Sequence, residues 1–211
     1  MSWCSPILWH DNIDLPEDLF SSVRELISGK VNDVPEYYTT YGKRGLSWKE
    51  GDREALTKFY HDLFQDKMMP DLGLNYRSDW LFHYWIQTTN SKSKGHKPHS
   101  HFSGMEIISW CHVIKTLPNQ RCFHFYKNSS DGDISILNHG YEKQYPEIIS
   151  GDINAWPSWS LHGVDPPTST EERIVIAGNI GIEAITDGES LMRSTFEDPI
   201  TTWKIDRDAF S

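Results

Sequence analysis

Three histidines have the side-chain chemistry and the spacing of metal ligands. His99 and His101 lie two residues apart in Gly95-His-Lys-Pro-His-Ser-His101, and His162 follows in a separate segment downstream. On a β-strand, side chains at positions i and i+2 point to the same face, so both imidazoles of the pair can reach one ion. Two neighbouring ligands plus one distant ligand is a typical way to build an open metal site. The alternative for residues 95–101 alone is a polar surface loop.

Arg173 is the second feature with a chemical implication. It lies shortly beyond His162, at the start of the apolar segment Ile174-Val-Ile-Ala-Gly-Asn179. A guanidinium that points into a barrel is costly unless it meets an anion. Its fork geometry suits two parallel hydrogen bonds to a carboxylate. The alternative is an ion pair with Glu171 or Glu172 at the surface.

Two amphipathic helices are predicted before these segments, over residues 14–30 and 53–68. Their apolar residues recur at helical spacing: Leu19, Phe20, Val23, Leu26 and Ile27 in the first, and Leu56, Phe59, Tyr60, Leu63 and Phe64 in the second. Asp14 and Glu17 resemble a capping box, and Pro70 is expected to end the second helix. Both apolar stripes predict packing against a sheet.

After Gly73 the chain changes to short aromatic and β-branched runs separated by turn residues. These runs cover residues 80–88, 105–116, 121–126, 134–138, 152–156 and 174–182. Strands at this spacing are typical of an antiparallel sandwich or barrel. We therefore predict a single domain over residues 1–211, mainly β. Helical support over 14–72 packs on a jelly roll over 78–183, and a C-terminal extension covers 184–211.

Length, charge and cysteine content narrow the functional classes. A chain of 211 residues fits one domain, and its net charge of −10 disfavours general nucleic-acid binding, which needs clustered Lys and Arg. No stretch approaches the ~18 uninterrupted apolar residues of a membrane span, and the N-terminus shows no secretory signal. The cysteines, Cys4, Cys111 and Cys122, are odd in number and form no CxxC pair. That pattern indicates a reducing compartment, and a cytoplasmic location is expected.

Three segments together resemble a known family. They are His99-x-His101, then Gly151…Trp156-Pro-Ser-Trp159…His162-Gly-Val164, then Glu172-Arg173-Ile174…Asn179. Over roughly residues 80–182 they are similar to the 2-oxoglutarate/Fe(II)-dependent oxygenases related to prolyl hydroxylases. The resemblance implies a double-stranded β-helix flanked by α-helices, with His99 and His162 as ligands of Fe(II). It also implies O₂ as oxidant, 2-oxoglutarate as co-substrate with its remote carboxylate on Arg173, and hydroxylase-type oxidation of a substrate. The acidic net charge favours a small molecule or a peptide as that substrate over a nucleic acid.

The third metal ligand is open between two alternatives. The wider oxygenase superfamily carries Asp or Glu two residues after the first histidine, where this chain has His101. The centre therefore has three histidines, or its carboxylate comes from elsewhere, and Glu106 is the nearest candidate. His99-Ser-His101 followed by Glu106 also resembles a metal motif of the related cupins. The rival function is thus a cupin-type dioxygenase, isomerase or lyase that does not use 2-oxoglutarate.

The second anchor for the remote carboxylate is open as well. Val175 stands where many relatives carry a hydroxyl residue beside the arginine. Tyr126 or His124, which share one face of the predicted strand 121–126, are the candidates from another strand. The identity of the substrate and the oligomeric state do not follow from the sequence.

Overall fold

A computed structural model describes residues 5–27, 38–40, 49, 51–74, 80–101, 106–117, 120–126, 142–182 and 202–204. These residues form two antiparallel β-sheets and a small helical layer. The strands, in chain order, are β1 Trp9–Asn12, β2 Tyr38–Thr39, β3 Trp80–Thr89, β4 His96–His99, β5 Glu106–Lys115, β6 Phe123–Tyr126, β7 Lys143–Gln144, β8 Asp152–Pro157, β9 His162–Val164, β10 Arg173–Ile182 and β11 Thr202–Lys204.

The two sheets divide these strands between them. The larger sheet has the order β1-β8-β5-β10-β3-β11, with β2 also paired to β3, and the smaller sheet has the order β4-β9-β6-β7. Five of the six predicted runs coincide with strands, whereas the run at 134–138 lies outside the described residues. Of the predicted C-terminal extension the structure describes β11, which adds a strand to the larger sheet.

The helices follow the predicted segments, although the first begins later than predicted and residues 28–30 of that prediction lie outside the described residues. Helix α1 spans Glu17–Ile27, and α2 spans Asp52–Leu63. A π-helical segment, Phe64–Met68, joins α2 to a short α3 at Met69–Asp71. The prediction that Pro70 ends the second helix is wrong. Pro70 lies at the start of α3, directly after the π-helical segment, and the helical backbone continues through it to Asp71. None of the described helices is long and apolar enough to cross a lipid bilayer.

The main hydrophobic core lies between the helices and the larger sheet, as both apolar stripes predicted. Trp110 of β5 is fully buried there, with its ring 4.7 Å from Tyr60 and 4.9 Å from Phe64, measured between ring centroids. Strand β10 shows how the sheet separates this core from the rest of the molecule. Ile174 and Ile176 belong to the helix-side core, so the alternate residues of β10 face the smaller sheet.

Candidate metal centre and its cavity

His99 and His162 meet because their strands pair. In the antiparallel pair β4–β9, His99 lies directly opposite His162, and the two ring centroids are 4.4 Å apart. The register shifts between His96 and His99, which marks a bulge or irregularity on β4, an edge strand of the smaller sheet. Pro98 lies within this irregular stretch, and edges and bulges are where a strand tolerates a residue that donates no ladder hydrogen bond.

His101 joins the same group from outside the strand. Its ring centroid is 5.1 Å from that of His99 and 5.2 Å from that of His162. One ligand nitrogen from each ring lies within 4.8 Å of the other two. The structure thus brings His99 and His101 together as expected, although β4 ends at His99 and His101 lies beyond the strand. The backbone N–H of His101 instead donates to the carbonyl of Ser158, 2.9 Å away, so the turn after β8 holds this residue beside the pair.

Backbone carbonyls select the tautomer of two of the three rings. Nδ1 of His99 lies 2.8 Å from the carbonyl oxygen of Lys97, and Nδ1 of His162 lies 2.9 Å from that of Ser160. Because a carbonyl only accepts, each Nδ1 must carry the proton and donate it. Each Nε2 is then left with a lone pair for a metal, an arrangement common among metal-binding histidines.

Burial keeps two of these rings neutral. Burial, together with the smaller effect of the neighbouring His99, lowers the pKa of His162 to about 3 and that of His101 to about 4. At pH 7 no proton therefore competes with a metal at either ring. Ligand histidines must be unprotonated to bind.

The three histidines open onto a cavity between the two sheets, with about 450 Å³ of space including its mouth. Trp85 and Gln87 of β3, Trp156 of β8, and Arg173 with Val175 of β10 line it together with the imidazoles. No acidic side chain of the described residues lines this cavity. The space is therefore suited to a negatively charged ligand.

Arg173 is the charged group of this cavity. Its side chain is only 5% exposed. Within the described part of the chain no carboxylate forms an ion pair with it. Glu172, one of the surface partners considered from the sequence, accepts a hydrogen bond from Thr88 Oγ1 at 2.7 Å instead. A buried guanidinium without a counter-ion is unfavourable unless a ligand supplies the negative charge.

Trp156 offers a second donor that the described protein leaves unused. Its indole N–H is buried and has no hydrogen-bond partner among the described residues, and its ring centroid lies 5.3 Å from that of His162. Buried indole N–H groups usually find an acceptor. The sequence showed Trp156 only as an aromatic residue of a strand, because nothing local reveals whether its N–H is satisfied.

Glu106 does not join the histidines. It begins β5 and is buried, but it is not part of the three-histidine group that the described residues form. Its charge instead acts on His83, whose pKa burial lowers to about 4 while Glu106 opposes that shift. The structure therefore does not bring Glu106 into the group as an additional or replacement ligand, and the cupin motif of His99, His101 and Glu106 is not assembled among the described residues.

His124 and Tyr126 lie on the wrong face of β6 to bind a ligand in this cavity. Phe123 lines the cavity, so the alternate residues of β6 point to the other side of the smaller sheet. There His124 Nδ1 donates to the carbonyl of Cys122 at 3.1 Å, and its Nε2 accepts from the Tyr126 hydroxyl at 2.9 Å. The sequence identified their shared face correctly but assigned it to the wrong side of the sheet.

Comparisons with known proteins find solved structures that are similar to this chain. No protein-family model matches the chain, and neither does any curated protein. AviO1 from Streptomyces viridochromogenes Tue57 is similar over 83% of this chain and 89% of its own, with 10% identity and a TM-score of 0.56. EvdMO1 is similar over 83% of this chain, with 14% identity and a TM-score of 0.57, but over 47% of its own length. This chain thus spans about half of EvdMO1.

A prolyl-4-hydroxylase from Pseudomonas putida is also among the matches. The similarity covers 82% of this chain and 91% of that one, with 13% identity and a TM-score of 0.49. At identities of 10–14%, AviO1 and EvdMO1 show a shared fold, and function has to be argued from the site.

Proposed function

We propose that this protein is a non-haem Fe(II)- and 2-oxoglutarate-dependent oxygenase of the hydroxylase type. One observation carries the proposal: three imidazoles and a buried, uncompensated Arg173 share a cavity in which no described lining residue is acidic. The imidazoles match a divalent iron ion, and the guanidinium matches the remote carboxylate of a 2-oxo dicarboxylic acid.

The side chains fit the metal that this function requires. Neutral imidazole nitrogen suits iron as well as other transition metals. His99 and His162 each direct a deprotonated Nε2 away from their backbone acceptors. Three protein ligands leave further coordination positions for a chelating 2-oxo acid and O₂. The unused N–H of Trp156 also fits a cavity made for a ligand with acceptor oxygens.

In this function the metal and the protein have separate roles. When bound there, Fe(II) supplies the O₂ chemistry that oxidises a substrate while 2-oxoglutarate becomes succinate and CO₂. The histidines hold the ion, and Arg173 orients the co-substrate by its remote carboxylate. The two sheets enclose the reacting groups and limit the access of water. The expected substrate is a small molecule or a peptide.

A double-stranded β-helix is the fold that we propose to carry this site. Along the chain, β3, β5, β8 and β10 of the larger sheet alternate with β4, then β6 and β7, then β9 of the smaller sheet. Alternation of strands between two facing antiparallel sheets is the plan of a jelly roll. The helices and the remaining strands then flank it within one domain over residues 1–211.

The test is an anaerobic titration of the Fe(II)-loaded protein with 2-oxoglutarate, followed by admission of O₂. We expect a weak visible charge-transfer band from the chelate and then formation of succinate. A protein that binds Fe(II) but shows neither band nor succinate would not be a 2-oxoglutarate oxygenase. Oxygen consumption that is independent of 2-oxoglutarate would favour the cupin-type rival instead.

A further inference from the structure

The anion-binding end of the cavity lacks a second donor on β10. Two residues after Arg173, Val175 faces the same cavity and is 3% exposed. Its isopropyl group cannot donate a hydrogen bond. A carboxylate has more lone pairs than one guanidinium satisfies, so a buried carboxylate needs a further donor from another element.

Strand pairing places Gln87 next to that gap. In the antiparallel pair β10–β3, Val175 lies directly opposite Gln87, and Arg173 lies directly opposite Thr89. Directly opposite residues point to the same face, and a diagonal neighbour such as Gln87 is within reach of a long side chain at position 173. Gln87 accordingly lines the cavity together with Arg173 and Val175.

The amide of Gln87 is available for a ligand. The residue is half-buried, and its side chain makes no hydrogen bond within the part of the chain that the structure describes. A glutamine amide provides two N–H donors and carries no charge. It therefore adds donors beside Arg173 without repelling an anion.

We propose that Gln87 is the second anchor of the co-substrate's remote carboxylate. Its Nε2 donates to one carboxylate oxygen while Arg173 holds the group through its guanidinium. This inference rests on the proposed 2-oxoglutarate-dependent function. It makes Gln87 a determinant of specificity for a dicarboxylic 2-oxo acid over a monocarboxylic one, because a monocarboxylic acid has no group at this position.

Calorimetry of the Ni²⁺-loaded protein, in which no turnover occurs, tests this role. Gln87→Leu should raise the Kd for 2-oxoglutarate about tenfold or more, since a hydrogen bond to a charged group is lost. The Kd for 2-oxobutanoate, which lacks the remote carboxylate, should not change. Gln144→Leu, made at an exposed position of β7, is the matched control and should leave both values unchanged.

The outcomes separate this inference from the function on which it rests. If the Ni²⁺-loaded parent protein does not bind 2-oxoglutarate, the proposed function fails and the inference with it. If the parent binds 2-oxoglutarate and Gln87→Leu binds it equally well, only the role of Gln87 is overturned. The same holds if Gln87→Leu weakens the binding of 2-oxoglutarate and of 2-oxobutanoate to the same extent. A loss of affinity for 2-oxoglutarate in Thr89→Val but not in Gln87→Leu would also overturn the role of Gln87. Should Gln87→Leu not fold, Gln87→Glu keeps the size and should weaken 2-oxoglutarate binding by repulsion.

Discussion

At the scale of single residues, the buried charge of Arg173 connects stability with ligand binding. The cavity that Arg173 lines contains imidazoles, aromatic rings, aliphatic side chains and the amide of Gln87, and no described carboxylate forms an ion pair with the guanidinium. Its burial therefore opposes folding of the ligand-free protein and favours binding of an anion. The two effects should respond in opposite directions to one substitution.

Arg173→Met removes the charge and keeps much of the volume. We expect the Kd for 2-oxoglutarate to rise by about a hundredfold, because a charge-assisted bidentate contact is lost. The free energy of unfolding of the ligand-free protein should stay equal or increase. Calorimetry and urea denaturation measure the two quantities. Arg121→Met, at an exposed arginine 3.5 Å from Glu147, is the control and should affect neither. A clear loss of stability in Arg173→Met would contradict this account.

The ligand set can be tested one histidine at a time. His162→Ala should abolish stoichiometric binding of Fe(II), because its Nε2 is held towards the centre by the contact with Ser160. His101→Glu should retain the metal, since two histidines and one carboxylate also form an iron site. Metal content after desalting measures both. His10→Ala, at an exposed histidine of β1, is the control. Full metal content in His162→Ala would remove this residue from the ligand set.

At the scale of elements, a glycine sets the spacing between the short strands of the smaller sheet. A Cβ at Gly163 would lie 3.0 Å from Nε2 of His124 on β6 and 3.1 Å from the carbonyl oxygen of His96 on β4. These two strands flank β9, so Gly163 allows β9 to fit between them. The position of the neighbouring His162, a proposed metal ligand, depends on that fit.

Gly163→Ala should therefore disturb the metal centre although it replaces no ligand. We expect a loss of about 1–3 kcal/mol in the free energy of unfolding, which is typical of overpacking. The affinity for Fe(II) should fall as well, because β9 must shift relative to β4 and move His162 away from His99. Urea denaturation and metal titration are the measurements. A variant with the parent's stability and affinity would show that the strands adapt without cost.

At the scale of the whole molecule, a buried histidine links the helical layer, the larger sheet and the N-terminal segment. His112 of β5 is fully buried. Its Nε2 donates to the carbonyl of Ile13 at 2.8 Å, and its Nδ1 accepts from the hydroxyl of Tyr60 at 2.9 Å. The hydroxyl of Tyr60 thus favours the neutral ring, whereas the carbonyl of Ile13 opposes the lowering of the pKa. Burial lowers the pKa of His112 to about 4.

This arrangement makes folding sensitive to mild acid. Below the ordinary histidine pKa of about 6.5, this histidine is protonated in the unfolded chain. In the folded protein it stays neutral until the pH approaches its lowered pKa. The free energy of unfolding should therefore fall as the pH drops from about 6.5 towards 4. His112→Gln should flatten this slope by up to about 1.4 kcal/mol per pH unit. Urea denaturation of the metal-free protein between pH 7 and pH 4.5 measures it, and parallel slopes would contradict the assignment.

The sequence by itself determined the elements and most of the chemistry. Apolar periodicity identified both helices, and aromatic and β-branched runs between turn residues identified the long strands, because these signals are local. Residue type and spacing selected His99, His162 and Arg173, and the structure brings all three to one cavity. The short strands β1, β2, β7 and β9 carry too few residues for a pattern, and the sequence did not predict them as separate elements.

The tertiary structure decided which side chains face that cavity. The register of β6 turns His124 and Tyr126 to the far side of their sheet. The pairing of β3 with β10 places Gln87 opposite Val175. His101 reaches the centre through a hydrogen bond to Ser158, far away in the chain. Such choices depend on pairing between distant segments, where a shift of one residue exchanges the two faces of a strand. A pattern within one strand does not identify the distant strand with which it pairs.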